Sequence, residues 1–202
     1  MSLVLHGVAA SRAIRCLWML EELGLPFTHV PVDFRGQTRE PGFLRLNPNG
    51  HIPVLEDDGL VVWESIAINL HLARRAGGPL APAGAAEDAR CTMWSFWAVN
   101  EIERECVAIL LHRQALPAAR RKPEAAHKAA GRLRAPLAVL EAHLAQHGFL
   151  AAPRFTVADL NVASILAWAR PEGDLLAATP AVHAWLEAAL RRPACLRALA
   201  LP

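Results

Sequence analysis

A break at Gly77-Gly78-Pro79-Leu80-Ala81-Pro82 constrains this 202-residue chain more than any other feature of its sequence. Before it, short apolar runs alternate with stripes of helical period. After it, the chain is Ala/Leu-rich and reads as helix without a convincing strand. Glycine and proline in this density punctuate structure rather than continue it. A period that changes across such a break calls for two units of different architecture, not one sandwich or one bundle.

The first unit can be read element by element. Leu3-Val4-Leu5-His6 is a short apolar run and reads as a buried strand. Ser11 to Leu23 reads as a helix whose apolar face begins with Ile14, Leu17 and Trp18 and continues through Leu20 and Leu23. Gly24 supplies a stop and Pro26 follows it. Thr28 to Val32 is β-rich, and Arg35 to Leu46 is polar enough for at most a short helix. Val54-Leu55-Glu56 and Leu60-Val61-Val62-Trp63 flank the turn signal Asp57-Asp58-Gly59, the pattern of a hairpin. Ser65 is a suitable N-cap for a helix reaching about Arg75. The order is β-α-β-α-β-β-α. A parallel unit closed by an antiparallel pair gives a mixed four-stranded sheet of thioredoxin-like form.

The second unit is predicted as a bundle: one long helix from Ala86 to about Gln114, and another from Pro123 to His147 that Pro136 should kink or split. Leu133, Leu137, Leu140 and Leu144 form the stripe of that second helix. Further helices open at Thr156-Val157-Ala158-Asp159 and run from Pro180 to Arg191. The fold class is therefore α+β: residues 1–76 form the thioredoxin-like domain, 77–85 the linker and 86–202 the all-helical domain.

Composition excludes several functions. With 53% hydrophobic and 20% charged residues the chain is not a disordered one. A net charge of +2, with no basic stripe interleaved with aromatics, gives no electrostatic footprint for nucleic acid. No apolar run reaches the roughly 18 residues of a membrane helix. Met1-Ser2-Leu3-Val4 lacks the features of a targeting segment, and Cys16, Cys91, Cys106 and Cys195 contain no C-x-x-C pair. Both observations predict a reducing, cytoplasmic setting.

Common catalytic signatures, among them G-x-S-x-G, the phosphate-binding loop and H-E-x-x-H, do not occur. His143 and His147 stand four residues apart on a helix, a metal-ligand spacing, but no third ligand accompanies them; they read as exposed histidines near a helix end, and no metal is expected. Four segments remain. Ser11-Arg12-Ala13-Ile14-Arg15 follows a strand at a helix start, where orphan N–H groups and partial positive charge favour a thiolate. Ser11 alone is equally an ordinary N-cap. Ile52-Pro53 precedes an apolar strand, either as an edge device or as a cis bond that turns the Ile52 backbone toward an extended peptide. Glu64-Ser65 is either a solvated residue and a cap, or a site for an amino acid head group, with the carboxylate on an ammonium and the helix start on a carboxylate. Thr156 to Asp159 has the form of a capping box, preceded by Phe155 as a staple residue.

Taken together, these segments resemble the glutathione S-transferase superfamily, in its bacterial-type cytosolic form without a catalytic tyrosine. The resemblance runs through Ser11-Arg12-Ala13-Ile14-Arg15, Leu20-Glu21-Glu22-Leu23-Gly24-Leu25-Pro26, Asn47-Pro48-Asn49-Gly50-His51-Ile52-Pro53-Val54-Leu55, Glu64-Ser65-Ile66-Ala67-Ile68 and Phe155-Thr156-Val157-Ala158-Asp159. It implies a detoxifying transferase, usually a two-fold homodimer, that activates glutathione for attack on an electrophilic small molecule held against the helical domain. It implies that Ile52 pairs with the cysteinyl part beside cis-Pro53, that Glu64 and Ser65 hold the γ-glutamyl end, and that His51 lies near the glycyl end. The second substrate would lie near the long helix that contains Trp94, Trp97 and Asn100, residues that by themselves read as core rather than site. Asn100 or Glu101 would reach toward the partner subunit's glutathione.

Many members use a tyrosine near the first strand. The chain contains none, and His6 stands near that place. Ser11, or the backbone N–H groups around it, is left to donate to the glutathione sulfur. Cys16 is expected to be packed. Two alternatives stay open: a glutathione-dependent isomerase, and a non-catalytic glutathione-binding protein of the same fold. A disulfide reductase is disfavoured, because Val8, Ala9 and Ala10 supply no thiol.

Overall fold

The computed structural model describes residues 2–202. Met1, where the expected untargeted start begins, lies outside the described residues. The chain divides into two units, residues 1–81 with 192–202, and residues 82–191.

In the first unit, β1 (Leu3–His6), β2 (Thr28–Val30), β3 (Val54–Asp57) and β4 (Leu60–Trp63) form one sheet in the order β2-β1-β3-β4. β1 pairs in parallel with β2 and antiparallel with β3, and β3 pairs antiparallel with β4. The expected mixed four-stranded thioredoxin-like sheet is present. β2 ends two residues before the predicted Val32, since Pro31 has no N–H to offer a ladder. The hairpin turns on Asp58 and Gly59, both at positive φ (48° and 93°), as tight strand pairs require.

Helix α1 (Ala13–Leu23) is buried at every position from Ala13 to Leu20. An amphipathic stripe does not explain that; a helix covered on several sides does. α1 packs on α3 (Ser65–Ala76) and also on α10 (Pro193–Leu199). Between them in sequence, α2 (Pro41–Leu44) is the short helix allowed for in the polar stretch.

The placement of α10 corrects the expected domain boundaries. Residues 192–202 belong to the first unit, not to a helical domain of 86–202, and the division falls at Ala81 and Pro82 inside the expected linker of 77–85. Two ion pairs explain the docking. Arg192 grips Glu22 at 2.5 and 2.7 Å, and Arg197 Nε donates to Glu21 Oε2 at 2.6 Å. Burial disfavours the Glu22 charge, but hydrogen bonds from Arg192 and Trp18 outweigh it and hold the carboxyl below its ordinary value. The bidentate geometry is the strong form of such a pair.

In the second unit, α4 (Ala85–Trp97) and α5 (Glu103–Leu110) are joined by a π-helical turn over Ala98–Ile102, and a second such turn follows α5 over Leu111–Ala115. The predicted long helix is thus continuous in direction of chain but not in hydrogen-bond pattern. α6 (Pro123–Leu144) runs unbroken through Pro136. The proline forfeits one hydrogen bond, but the buried Leu133, Leu137, Leu140 and Leu144 hold the helix on both sides of it. α7 (Val157–Leu166) is buried along its whole length, followed by α8 (Gly173–Ala177) and α9 (Pro180–Leu190).

The predicted capping box at Thr156 is formed. Its Asp159 does more than close the box. It accepts from Leu150 N–H, Thr156 N–H, the Thr156 hydroxyl and Trp185 Nε1 at 2.9–3.1 Å. A second carboxylate with no sequence signal acts similarly. Glu141 on α6 accepts from the N–H groups of Ala181 and Val182 at 3.0 and 2.8 Å, so it caps α9 from a neighbouring helix. No helix among the described residues is long and apolar enough to cross a membrane.

Candidate functional site

Sheet register brings the candidate residues of the first unit to one end. His6 lies opposite Val54, and Val54 opposite Trp63. The residues that leave the ladder next, Gly7, Pro53 and Glu64, therefore emerge at the same edge. α1 begins just beyond it, after a turn at residues 8–12.

Gly7 is the hinge of this arrangement. Its φ is +143°, and a Cβ placed there would lie 2.6 Å from the Ala13 Cβ and 3.4 Å from the Ile52 Cβ. Only glycine allows the loop, the start of α1 and the Ile52 backbone to approach so closely. Nothing in the sequence singled it out.

The Ile52-Pro53 bond is cis, so of the two readings the edge device falls away. Pro53 is buried, Ile52 half-buried and His51 exposed. Ile52 makes no backbone hydrogen bond among the described residues, which leaves an N–H and a C=O open to an extended peptide. The loop before it is organised by buried Asn47. Its Nδ2 donates to His51 O at 2.8 Å, and its Oδ1 accepts from Asn49 N–H at 3.0 Å. Arg39, which the sequence reading missed, donates from Nη1 to Asn49 O at 3.2 Å. A Cβ on Gly50 would meet that same Nη1 at 2.7 Å. A guanidinium is thus anchored one turn of loop from His51.

Glu64 is the conformational outlier. It sits at φ 74°, ψ 114° immediately before α3, with its side chain exposed. A non-glycine residue at positive φ costs of order 1–3 kcal/mol, and such strain clusters at functional sites. The structure also corrects the expected cap: Glu64 occupies the cap position, and Ser65 is the first helical residue. No side chain caps α3, so its first N–H groups remain open. Ser65 is buried and its Oγ accepts from Arg15 Nη1 at 3.2 Å, leaving its hydroxyl hydrogen to donate. Asn69 Nδ2 donates back to Arg15 O at 3.2 Å. Buried Arg15 thereby ties the start of α1 to the start of α3.

Ser11 lies two residues before α1. Its hydroxyl donates to Val8 O at 2.7 Å, and its Oγ accepts from Ala13 N–H at 3.0 Å. At rest it closes the turn that precedes α1; the cap position falls to Arg12, not to Ser11 as the N-cap reading expects. Its acceptor side is occupied from within the helix, so its hydrogen is what it can redirect.

Other candidates are placed elsewhere. His6 is engaged by Glu56 Oε1 at 2.7 Å and by the Phe43 ring. Cys16 is buried, as expected; burial pushes its thiol well above the ordinary range, so it is no nucleophile. Cys91, Cys106 and Cys195 are buried too. In the second unit, Trp94 packs edge-on to Trp97 at 5.2 Å and is buried, while Asn100 and Glu101 are exposed on the first π-helical turn. The His143 and His147 rings stack at 4.6 Å and make bonds to the carbonyls of Phe149 and His143.

Comparison with known proteins bears on the family of the chain. Residues 1–74 match the family model "Glutathione S-transferase, N-terminal domain", and residues 113–188 match "Glutathione S-transferase, C-terminal domain". The chain is 38% identical to glutathione S-transferase 3 of Zea mays, covering 98% of this chain and 93% of that one. It is 29% identical to glutathione S-transferase GstB of Escherichia coli K12, covering 93% and 92%. Among structures, a theta class glutathione S-transferase from Xanthomonas axonopodis pv. citri with glutathione bound superimposes with a TM-score of 0.87 at 30% identity, covering 98% of this chain and 97% of that one.

Proposed function

This chain belongs to the glutathione S-transferase family, and from that premise we propose that it conjugates glutathione to an electrophilic small molecule by activating the thiol at the loop before α1. The observation that carries the reading is Glu64, held at φ 74° beside the uncapped start of α3, at the sheet end where the Ile52 backbone is also open.

Each part of the tripeptide meets a complementary group. The Glu64 carboxylate takes the α-ammonium of the γ-glutamyl end. The Ser65 hydroxyl and the first N–H groups of α3 take its α-carboxylate. Ile52 pairs with the cysteinyl backbone as an added strand, next to Pro53. His51 and Arg39 lie by the glycyl end, where Arg39 supplies the counter-charge. The sulfur then falls at the Ser11 turn.

Activation is a matter of differential stabilisation. A free thiol titrates near pH 8.5, and only the thiolate attacks. Ser11 exchanges its bond to Val8 O for one to the sulfur. The lost bond is worth about 1 kcal/mol and the charge-assisted one about 1.5–3 kcal/mol. The partial positive charge at the start of α1 favours the same state. The thiol proton leaves to solvent. The sulfur pair forms a C–S bond to the electrophilic carbon, whose leaving group departs with the bonding pair.

Two substitutions separate binding from activation. Glu64→Gln is expected to weaken glutathione binding roughly tenfold to a hundredfold in a calorimetric titration. Ser11→Ala is expected to lower kcat roughly tenfold or more in a conjugation assay with an activated aryl halide, with glutathione affinity little changed. Wild-type glutathione affinity in Glu64→Gln, or wild-type thiolate formation in Ser11→Ala, contradicts the assignment.

The homodimer follows from the same reading. Met93 and Phe96 are each more than half exposed and three residues apart on α4, and Leu60 and Trp63 are exposed on β4. Apolar side chains left in water are unfavourable by about 25 cal/mol per Å². Light scattering at micromolar concentration should give twice the chain mass; the mass of one chain refutes the dimer.

A further inference from the structure

The loop that carries Ser11 is held from outside by β2. Gly7 N–H donates to Val30 O at 3.0 Å, and the Gly7 carbonyl accepts from His29 Nε2 at 2.7 Å. A carbonyl can only accept, so Nε2 carries the hydrogen. Both anchors turn Gly7 toward β2, on one side of β1. A trans peptide is planar, with its N–H opposite its C=O. Fixing the Gly7 carbonyl toward His29 therefore fixes the Val8 N–H on the other side. That side is where β3 lies in the order β2-β1-β3-β4, entered through Ile52 and Pro53. Val8 N–H makes no hydrogen bond among the described residues.

We propose that His29 is a positioning residue for thiol activation: by holding the Gly7 carbonyl it aims the Val8 N–H at the glutathione sulfur, as a second donor beside the Ser11 hydroxyl. This rests on the glutathione site argued above. It explains how the loop keeps its shape when Ser11 acts. The Ser11 hydroxyl closes the turn on Val8 O at rest. Once it swings to the sulfur, one of the two bonds to Val8 O is lost and only the Ser11 N–H closes the turn, at 3.1 Å; the His29 bond, which comes from a different element, remains as a second restraint. His29 does not touch the reacting atoms and needs no charge for this role, because its neutral Nε2–H form suffices. Among the other histidines, His6 and His71 each meet a carboxylate, so neither resembles it.

Two measurements test the proposal. In the wild-type protein, the Val8 amide proton should shift downfield in nitrogen–proton NMR when glutathione binds, and not when S-methylglutathione, which has no thiolate, binds. In His29→Leu, the thiolate fraction of bound glutathione below its titration midpoint, followed by ultraviolet absorbance, should fall about tenfold together with kcat. KM for glutathione should stay within about twofold. His29→Gln, which keeps a donor, should recover most of the loss.

A Val8 amide that responds equally to both ligands overturns the proposal. So does a His29→Leu protein with wild-type thiolate titration and kcat. Should His29→Leu not fold, the amide comparison on the wild type decides alone. A wild-type protein that leaves the glutathione thiol titrating as in water refutes the site reading itself, which is a separate result.

Discussion

Gly7→Ala is expected to destabilise the protein by about 2–6 kcal/mol and to remove glutathione binding. Two costs combine: the disfavoured φ of +143° and overpacking in a filled site, each about 1–3 kcal/mol. The new methyl would lie 2.6 Å from the Ala13 Cβ, and Ala13 is fully buried at the start of α1. It cannot move aside without moving the helix. Ile52 is on the other side at 3.4 Å. Relief in either direction separates the Ser11 turn from the Ile52 backbone, the two places that the proposed site assigns to one cysteinyl residue. Urea unfolding and calorimetric titration with glutathione measure the two effects. Gly24→Ala is the control. Gly24 also has positive φ, at +60°, but nothing lies within 4 Å of its added methyl, so only about 1 kcal/mol is expected there. Equal effects from both substitutions would show that crowding at Gly7 is not what matters.

Asp159→Ala is expected to cost about 4 kcal/mol or more in the second unit. The carboxylate is fully buried and serves four donors from three places: Leu150, Thr156 and Trp185. Removing it leaves buried N–H and O–H groups without acceptors, each a loss of about 1–3 kcal/mol before relaxation. Against a total stability of about 5–15 kcal/mol, that threatens folding itself. Asp159→Asn keeps the shape and one acceptor oxygen and should fall between the two. Guanidinium unfolding followed by tryptophan fluorescence reads the difference, since Trp185 is one of the donors. A loss below about 1 kcal/mol for Asp159→Ala would mean that these bonds are replaced elsewhere.

The two residues differ in how visible they are in the sequence. Asp159 stands three positions after Thr156, and a capping box is a local pattern, so its position announced one of its roles. Its bonds to Leu150 and Trp185 are nonlocal and left no trace. Gly7 carries no pattern at all, because the close approach it permits involves Ala13 and Ile52, which the fold brings together. Ile52, Pro53, Glu64 and Ser65 stand out in the sequence as candidates because each lies at the junction of two elements, where a proline, a carboxylate or a hydroxyl is conspicuous. Even so, the sequence reading placed the cap at Ser65. The helix starts there instead, and strain at Glu64 takes the turn. Arg39 and His29 were illegible. One is an exposed arginine in a polar stretch and the other a histidine in a β-rich run, and only their partners, Asn49 and Gly7, give them a role.

Hydrophobic period and turn chemistry, which act within a few residues, were enough to determine the order of elements, the hairpin and the break near residue 80, and to mark the junction segments as candidates. The tertiary structure alone decided that residues 192–202 return to α1, through Arg192 and Arg197 on Glu22 and Glu21. It also decided that Glu141 caps a helix forty residues away and that β2 holds the loop before α1. These are contacts between groups distant in the chain. Their strength depends on distance and burial, which a linear pattern does not encode.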